Sequence, residues 1–576
     1  MNNYNCEYKR WLECNALNAE EKRELLSIEN DEEAKALRFS SPMSFGTAGL
    51  RSTMYMGIGC MNRFTVAHTT RGIAALVKEA GGEERGVAIA YDSRNNSELF
   101  ARVSASILAS EGIKVYIFDG IRPTPELSFA VRELGAAAGI NITASHNPKE
   151  YNGYKAYWAD GAQISPEQAK IVSSAREKFD VLDASGIFDY EKLVESGVIS
   201  ILSGDFDEKY IKAVLDTAIC PDVIKDVSEE LKVVYTPLHG AGYKLVPEVF
   251  YRRGLKHLYT VDEQMIPNGN FPTVKKPNPE YKDVFKLGIE IANNVGSDLV
   301  IATDPDSDRV GVVTRDKSGE FVTISGNQMG SLLLDYVISQ KRKLNTLSEK
   351  AYCVKSIVST DMAYKIADAN GIKLHDVLTG FKFIGEVIKN YEEKGVNEGF
   401  LLGFEESYGY LFGSYARDKD AVGASMIILE MTAFYKSLGM TLSDALSALY
   451  QKYGFYSERM IDTYMEGLDG IEKRRRVMSN LRQNPPKLFA GVKVQSIGDY
   501  STSQILNLQT GKITSTNQPE SDVLYFTLEN GDKIIVRPSG TEPKIKTYIL
   551  LHSSNENELN TKALNYENDA KKMMEV

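Results

Sequence analysis

Short apolar segments with strand character alternate with amphipathic helical segments along most of this chain, and this alternation limits the folds open to it. The stretch ELFARVSASILASEG (98–112) has helical spacing and ends at a glycine, whereas IKVYIFD (113–119) is β-branched and aromatic. A second helical stretch (125–135) and a small, apolar run (136–145) follow. Strands that alternate with helices in this way are typical of α/β layers. The sequence therefore predicts an α/β fold.

The same alternation returns three more times, and then the pattern changes. It recurs at 231–242 with the helix after it, at 284–304 and at 351–371. In contrast, DVLYFTLENGDKIIVRPSG (522–540) predicts two strands around the turn ENGD, followed by a loop. A chain of 576 residues is too long for a single core. We predict three similar α/β domains with mixed sheets and a C-terminal α+β domain, bounded as 1–208, 209–326, 327–452 and 453–576.

Composition excludes several classes of protein. The formal net charge of -11 argues against a nucleic-acid binder, which needs a basic surface to displace phosphate counterions. The five cysteines are far apart and no pair has CxxC spacing, so neither a zinc site nor a disulfide framework is indicated. The polar start lacks a signal-peptide segment, and no apolar run has the length of a membrane span. We expect a cytoplasmic protein without a membrane or nucleic-acid partner.

The segment TASHNP (143–148) places a serine and a histidine side by side after an apolar run. Ser145 would lie at a strand end, where side chains project into a crevice. Neighbouring residues of an extended chain point to opposite faces, so His146 is poorly placed to deprotonate Ser145. No GxSxG motif surrounds the serine either. From this loop alone, a polar turn is favoured over a nucleophile.

Three alternating aspartates follow another apolar run in TDPDSDR (303–309). Asp304, Asp306 and Asp308 would come together in an extended turn, where like charges repel unless a cation joins them. An EF-hand is excluded, because Arg309 and Arg315 stand where its glycine and its bidentate glutamate belong. A compact oxygen-ligand site suited to Mg²⁺ is favoured over a solvated turn.

Two further loops carry groups that suit a sugar phosphate. In GFEESYGY (403–410), Glu405 and Ser407 could bind sugar hydroxyls, although a surface loop is equally compatible; RDKD (417–420) follows. In RPSGTEPK (537–544), a strand runs into a dense group of donors that suits a phosphate monoester, and the order is not that of a Walker A loop. Phosphate binding is favoured there over a hairpin end of incidental polarity. The donors are Arg537, Ser539, Gly540, Thr541 and Lys544.

Together and in this order, these loops resemble those of the α-D-phosphohexomutase superfamily. FGTAGLR (45–51) is similar to the family's N-terminal substrate loop, SHNPKEYNGYK (145–155) to its phosphoserine motif, and TGFKFIGE (379–386) to its sugar-specificity loop. The matches extend from about residue 45 to 548. FGTAGLRSTMYMGIGCMNR and GFKFIGE look most like the branch of bacterial phosphoglucomutases and mammalian phosphopentomutases.

The resemblance implies four domains around a central cleft, each contributing one loop. It implies that Ser145 carries a phosphoryl group, which passes to glucose 1-phosphate or glucose 6-phosphate to form glucose 1,6-bisphosphate, and that the other phosphate returns to Ser145. By the same resemblance, Asp304, Asp306 and Asp308 bind Mg²⁺ together with a phosphoserine oxygen of Ser145.

The remaining roles implied by the resemblance concern the sugar and its oxygens. Arg51, Lys155 and Lys419 would place positive charge near the reacting oxygens, with Lys419 similar to the family's acid-base lysine. A lysine accepts a proton only if its pKa is lowered. His146 would orient the serine loop. The expected substrate-binding groups are Arg309, Thr379, Gly380, Lys382, Glu405 and Ser407, and those of the loop at 537–544 would bind the phosphate that is not reacting.

Several alternatives stay open at this point. A phosphopentomutase acting on ribose 1-phosphate is the nearest, and a glucose-1,6-bisphosphate synthase is a variant of the same chemistry. A phosphomannomutase is disfavoured because GFEESYGY departs from the GEMSGH form usual there. The intact Ser145, the three aspartates and the Arg537 loop argue against an inactive sugar-phosphate-binding regulator. The sequence leaves monomer and homodimer open, and residues 1–40 are predicted to be helical without an assigned function.

Overall fold

The computed structural model describes residues 3–46, 49–465, 470–539 and 544–574. The chain divides into two compact units. The first unit comprises Met1–Ile324, Gly385–Asn397 and Tyr408–Thr441, and the second comprises Ser325–Ile384, Glu398–Ser407 and Leu442–Val576. Among the described helices, none combines the length and the apolar character that a membrane span requires.

The first α/β domain is built on a mixed sheet. Its helices are α1 (Asn3–Leu12), α2 (Ala19–Ser27), α3 (Glu32–Phe39), α4 (Arg63–Glu79), α5 (Ser97–Ser110), α6 (Thr124–Glu133), α7 (Pro166–Arg176), α8 (Tyr190–Glu195) and α9 (Gly204–Leu215). Its strands are β1 (Leu50–Thr53), β2 (Val87–Tyr91), β3 (Val115–Phe118), β4 (Ala138–Ile142), β5 (Tyr151–Trp158) and β6 (Ile199–Leu202). They are ordered β1-β5-β4-β2-β3-β6. The interior strands β2 and β4 are buried along their whole length, which explains why both are apolar except for Asn141 in β4.

The helices α1 to α3, predicted at residues 1–40, pack onto this first domain. Trp11 is fully buried, with its ring edge-on to Phe39 and Phe64. The guanidinium of Arg63 donates to both carboxylate oxygens of Glu21, at 2.6 and 2.8 Å. These helices are therefore an integral layer of the first domain.

The second domain also contains parallel and antiparallel strands. Its helices are α10 (Val223–Asp226), α11 (Gly242–Arg252), α12 (Asp262–Met265) and α13 (Lys286–Val295), with a 3₁₀ turn at Lys282–Phe285. Its strands are β7 (Lys232–Thr236), β8 (His257–Thr260), β9 (Leu299–Thr303), β10 (Val310–Arg315) and β11 (Phe321–Ile324), ordered β11-β10-β9-β7-β8. The antiparallel pair β9–β10 is closed by residues 304–309, so the three aspartates lie in a tight connection between two buried strands.

The third α/β segment is divided between the two units. Its helices are α14 (Gly326–Lys343), α15 (Met362–Asn370), α16 (Phe381–Glu392), α17 (Ala421–Ser437) and α18 (Leu442–Tyr453). Its strands are β12 (Tyr352–Ser356), β13 (Lys373–Val377), β14 (Phe400–Glu405) and β15 (Gly409–Leu411). Within the second unit, β12 pairs in parallel with both β13 and β14. Glu405 is the last residue of β14, so its carboxylate lies at a strand end.

The C-terminal domain is β-rich. Its helices are α19 (Gly470–Gln483) and α20 (Glu556–Met573). Its strands are β16 (Phe455–Tyr464), β17 (Leu488–Phe489), β18 (Val492–Asp499), β19 (Gln504–Asn507), β20 (Ile513–Ser515), β21 (Leu524–Leu528), β22 (Lys533–Pro538) and β23 (Lys544–Ser553). The predicted hairpin is β21–β22, which pairs antiparallel. Three α/β domains followed by this α+β domain confirm the predicted fold class.

Candidate active site

Ser145 lies in a turn just beyond β4, which occupies the interior of the first sheet. Its backbone is left-handed (φ +51°), its N–H donates to Thr143 Oγ1 at 2.8 Å, and it is 3% exposed. The extended geometry expected around TASHNP is therefore wrong at this residue. Because the chain turns at Ser145, the Nδ1 atom of His146 lies 3.3 Å from Ser145 Oγ instead of on the opposite face.

The environment of His146 argues against a charged imidazole. Burial, together with the neighbouring guanidinium groups of Arg309 and Arg51, holds the pKa of His146 well below its usual value. Arg51 Nη1 also donates to Asn147 Oδ1 at 3.0 Å, which connects β1 to the serine loop. The ring is thus a neutral hydrogen-bonding group beside Ser145, in keeping with an orienting role.

The three aspartates converge next to Ser145. Each of Asp304, Asp306 and Asp308 offers a carboxylate oxygen within 4.8 Å of the others, and all three side chains are buried. Ser145 Oγ donates to Asp304 Oδ2 at 2.7 Å. The backbone N–H groups of Asp308 and Arg309 donate to Asp304 Oδ1 at 3.0 and 2.9 Å. The first unit therefore joins a hydroxyl from its first domain to an acidic cluster from its second.

Two lysines balance part of this negative charge. Lys155 Nζ lies 2.7 Å from Asp306 Oδ2 and 3.1 Å from Asp308 Oδ2, and Lys419 Nζ lies 3.3 Å from Asp308 Oδ2. Burial opposes ionisation of Asp306 and Asp308, but the groups around them together outweigh it, so the pKa of both carboxyls is lowered: Lys155 and Thr124 act on Asp306, and Lys155, Lys419 and Arg309 act on Asp308. Within the described parts of the chain, no lysine is paired with Asp304; burial and its two acidic neighbours raise its pKa well above the usual value.

This cluster has the features of a divalent-cation site. Asp306 Oδ1 and Asp308 Oδ1 are buried and accept no hydrogen bond from any residue in the described ranges. Buried carboxylate oxygens without a donor are rare in folded proteins. A cation bound to the three carboxylates would satisfy both oxygens and would allow Asp304 to ionise. The residues present therefore fit a hard cation such as Mg²⁺.

Several residues that the sequence did not single out hold this cluster in place. Thr124 donates through Oγ1 to Asp306 Oδ2 at 2.7 Å and through its N–H to the Asp306 carbonyl at 2.8 Å. Asn141 Nδ2 in turn donates to Thr124 Oγ1 at 2.6 Å. A Cβ at Gly240 would lie 2.3 Å from Pro305 Cα, so only glycine permits this close approach to the aspartate loop. None of these belongs to a motif with obvious chemistry.

The position of Lys419 depends on two neighbours. Its Nζ lies 3.1 Å from Asp418 Oδ1, and Tyr157 donates to Asp418 Oδ2 at 2.8 Å. The aliphatic stem of Lys419 runs against Gly409, where an added Cβ would lie 2.1 Å from Lys419 Cδ. Both lysines that were predicted near the reacting oxygens are therefore found at the aspartate cluster. The pKa of Lys155 is raised, because Asp306 and Asp308 together outweigh the effect of burial, and this favours the charged form of the lysine.

Arg309 follows the aspartates directly and is partly buried. Its Nη1 donates to Glu280 Oε1 at 2.6 Å, and its Nε lies 3.8 Å from Asp308 Oδ1. The guanidinium is thus held at the edge of the acidic cluster within the first unit. Its predicted contact with substrate stays a prediction.

The predicted sugar-binding residues lie in the second unit, and two of them meet there. Glu405 is buried and accepts the backbone N–H of Gly380 through Oε1 at 2.7 Å. Thr379, Lys382 and Ser407 are partly buried. Within the second unit, a hydrogen bond therefore joins Gly380 of TGFKFIGE to Glu405 of GFEESYGY.

The predicted phosphate loop lies at the β22–β23 connection of the second unit. Gly540 and Thr541 fall outside the described residues. Ser539 donates its N–H to the Lys544 carbonyl at 2.9 Å, and Lys544 Nζ lies 2.9 Å from Asp462 Oδ2. Arg537 lies on β22 opposite Lys546. The described donors Arg537, Ser539 and Lys544 thus cluster at one end of this hairpin.

Comparison with known proteins agrees with these observations. The chain matches the phosphoglucomutase/phosphomannomutase α/β/α domains I, II and III over residues 42–180, 208–319 and 325–453. The site and fold define a phosphotransferase that acts as an isomerase. The chain belongs to the phosphoglucomutase/phosphomannomutase family.

Individual relatives extend this similarity to most of the chain. The phosphoglucomutase of Staphylococcus aureus strain RF122 / ET3-1 is 37% identical over 525 residues, which cover 90% of this chain and 91% of that protein. A phosphoglucomutase/phosphomannomutase family protein of Burkholderia thailandensis has a TM-score of 0.63 at 18% identity, covering 92% of this chain and 97% of the other. The open form of parafusin, a phosphoglucomutase from Paramecium, has a TM-score of 0.66 at 17% identity, covering 93% and 95%. The two structural similarities concern the fold.

Proposed function

We propose that this enzyme interconverts glucose 1-phosphate and glucose 6-phosphate through a phosphorylated Ser145. The observation that carries the proposal is the hydrogen bond of 2.7 Å between Ser145 Oγ and Asp304 Oδ2, inside a buried cluster that fits a divalent cation. The 37% identity to a staphylococcal phosphoglucomutase supports glucose as the sugar. Mg²⁺ is the cation we assign to Asp304, Asp306 and Asp308.

The first half of the proposed reaction moves a phosphoryl group from the enzyme to the sugar. The free hydroxyl oxygen of the sugar phosphate forms a bond to the phosphorus on Ser145 while the bond between phosphorus and Ser145 Oγ breaks. The sugar hydroxyl loses its proton to a base, for which Lys419 is the candidate, and the product is glucose 1,6-bisphosphate. Mg²⁺ held by the three aspartates and a phosphoserine oxygen would offset charge on the phosphoryl oxygens.

The second half reverses these bonds at the other end of the sugar. Ser145 Oγ, which lost its bond to phosphorus without gaining a proton, forms a bond to the second phosphorus of glucose 1,6-bisphosphate. The bond from that phosphorus to the sugar oxygen breaks, and Lys419 returns to this oxygen the proton that it took in the first half. Lys155 and Arg51 supply fixed positive charge near the transferring group. Because one Ser145 serves both steps, the bisphosphate has to turn over between them.

The second unit would recognise the sugar phosphate. We assign Thr379, Gly380, Lys382, Glu405 and Ser407 to the sugar hydroxyls, and Arg537, Ser539, Gly540, Thr541 and Lys544 to the phosphate that is not reacting. Arg537 and Lys544 suit this task because charge-assisted hydrogen bonds to phosphate are strong. A shared phosphate site explains reversibility, since either phosphate can dock there.

The choice of sugar is tested by steady-state kinetics on two substrates. We expect kcat/KM to be higher for glucose 1-phosphate than for ribose 1-phosphate, measured with purified enzyme, Mg²⁺ and a trace of the matching bisphosphate. A clear preference for ribose 1-phosphate would assign the enzyme as a phosphopentomutase. Absence of turnover on any sugar phosphate, with Ser145 intact, would favour a binding protein.

A further inference from the structure

Arg94 is buried beneath the Ser145 loop, and its guanidinium contacts none of the described side chains that the proposed reaction uses. It follows β2 by three residues and is 3% exposed. Its Nη1 donates to the carbonyls of Pro148 and Tyr151 at 2.9 and 3.0 Å. Its Nη2 donates to the Ser145 carbonyl at 2.5 Å and also to that of Asn147. One guanidinium thus gathers four carbonyls of a single loop.

The opposite side of Ser145 is held by Asp92, two residues before Arg94. Asp92 Oδ2 accepts from Thr143 Oγ1 at 2.6 Å, and Thr143 Oγ1 accepts the Ser145 N–H at 2.8 Å. Ser97 donates to Asp92 Oδ1 at 2.8 Å. The segment that carries Asp92 and Arg94 therefore fixes both the N–H and the carbonyl of Ser145.

This double hold explains the backbone of Ser145. A left-handed conformation is unfavourable for a residue other than glycine and persists only where its surroundings impose it. The planar guanidinium presents several donors in a fixed arrangement, which a lysine ammonium cannot reproduce. Burial lowers the pKa of Arg94 to about 10, so the group remains charged at neutral pH.

We propose that Arg94 is a positioning residue for phosphoryl transfer, which fixes Ser145 Oγ against the aspartate cluster by gathering the carbonyls of residues 145, 147, 148 and 151. This inference rests on the proposed function of Ser145. It assigns to the sequence YDSR (91–94) a role in the geometry of the reaction that is separate from binding of the sugar or of its phosphates.

Arg71 offers a matched control in the same domain. It is also 3% exposed, donates to the carbonyls of Asp183 and Ser185 at 3.1 and 2.9 Å, and lies 3.3 Å from the Asp183 carboxylate. These carbonyls belong to a loop that carries none of the reactive groups. Arg71→Lys therefore reports what the loss of a buried guanidinium costs the fold alone.

The test compares Arg94→Lys, Arg94→Met and Arg71→Lys with the wild-type enzyme. Dephosphorylated enzyme is mixed with glucose 1,6-bisphosphate, phosphate transfer to Ser145 is followed by intact mass, and kcat, KM and Tm are measured alongside. Both Arg94 variants should lose about 100-fold in kcat and in the rate of Ser145 phosphorylation, because a small misplacement of a reacting group costs that much. Their KM should stay near the wild-type value, and Arg71→Lys should lower Tm with little loss of kcat.

Each outcome decides between a positioning role and a structural one. If Arg94→Lys loses no more kcat than Arg71→Lys at equal Tm, the positioning role is wrong. If Arg94→Lys recovers the wild-type rate while Arg94→Met does not, charge and not geometry is what Arg94 supplies, which also overturns the proposal. If wild-type enzyme takes up no phosphate on Ser145, the proposed function itself fails, and the role of Arg94 falls with it.

Discussion

The two units of this enzyme prepare their functional groups to different degrees. In the first unit, Ser145, the aspartates and both lysines are buried and contact one another directly. In the second unit, Glu405, Ser539 and Lys544 are buried as well, but Thr379, Ser407 and Arg537 are only partly buried. The reactive groups are thus preorganised by the fold, whereas Thr379, Ser407 and Arg537 keep surface available for a ligand. Changes in the first unit should therefore lower kcat, and changes in the second should raise KM.

The largest expected effect is that of Ser145→Ala. Removal of the hydroxyl leaves no oxygen to carry the phosphoryl group, so kcat should fall by roughly 10⁶-fold, as for other covalent nucleophiles. Binding of glucose 6-phosphate, measured by calorimetry, should survive. Ser110→Ala, which removes the hydroxyl of an exposed serine that donates to the Ile107 carbonyl, is the control. Full activity of Ser145→Ala would end the phosphoserine mechanism.

Asp306→Asn tests the metal site of the first unit. Loss of one anionic ligand should raise the Mg²⁺ concentration needed for half-maximal activity by about 100-fold or more, and should weaken Mn²⁺ binding followed by electron paramagnetic resonance. Asp283→Asn is the control, because it makes the same change of charge at an exposed residue outside the aspartate cluster. An unaltered metal requirement would contradict the assignment of Asp306.

Gly409→Ala probes the position of Lys419 without altering a charged group. The added methyl would lie 2.1 Å from Lys419 Cδ, so the lysine stem has to shift. We expect kcat to fall by about 10- to 100-fold with KM unchanged. At Gly204 an added Cβ meets nothing within 4 Å, so Gly204→Ala is the control. If Gly409→Ala kept the wild-type kcat, the rate would not depend on the position of Lys419.

Glu405→Gln addresses recognition in the second unit. The amide keeps the shape of the side chain but removes the charge that accepts the Gly380 N–H. Hydrogen bonds to a charged group contribute more than neutral ones, so KM for glucose 1-phosphate should rise by about tenfold or more while kcat changes little. The exposed Glu398→Gln should leave both constants unaltered. If Glu405→Gln lowered kcat and left KM unchanged, the predicted difference between the two units would be wrong.

The smallest expected effect concerns stability and pH in the second unit. Burial raises the pKa of Glu458 on β16 to about 7, above its unfolded value of 4.5. The folded state therefore binds the Glu458 proton more tightly than the unfolded state does. The stability that this proton contributes is complete below pH 4.5 and is lost as pH rises from there through about 7. Glu458→Gln should raise Tm relative to wild type by about 2–4 °C at pH 8, with little difference at pH 4. Exposed Glu472→Gln should show no such pH dependence; equal shifts in both variants would contradict this account.

The sequence predicted the elements of the fold well, because their signals are local. The alternation at 98–145 became α5, β3, α6 and β4, and the hairpin around ENGD became β21–β22. The aspartate loop was also predicted, since buried strands on both sides left few alternatives for three acids. Local pattern and repeated motifs were sufficient for these features.

The supports of the site were not predictable in the same way. Arg94 contacts Ser145, which lies 51 positions further along the chain, and Thr124 contacts Asp306, which lies 182 positions further along. Contacts between residues so far apart leave no periodic signal in the sequence. The left-handed turn at Ser145 is imposed by such distant contacts, which is why the assumption of an extended chain failed there. The acid at the end of a strand-like run in VAIAYDSR could have pointed to Asp92, by the rule that strand ends carry functional groups.

The N-terminal helices have a practical consequence for work with this enzyme. The match to the family begins at residue 42, beyond α1 to α3. Yet Glu24 accepts the Met56 N–H at 2.9 Å and binds Arg38, whose guanidinium lies 4.0 Å from the centre of the Tyr55 ring. A truncation designed from the family match would remove Trp11, which packs against Phe64. It would also remove the contacts of Glu24 and Arg38 with Met56 and Tyr55, which follow β1, the strand that carries Arg51. Expression of the whole chain is therefore required for a faithful assay.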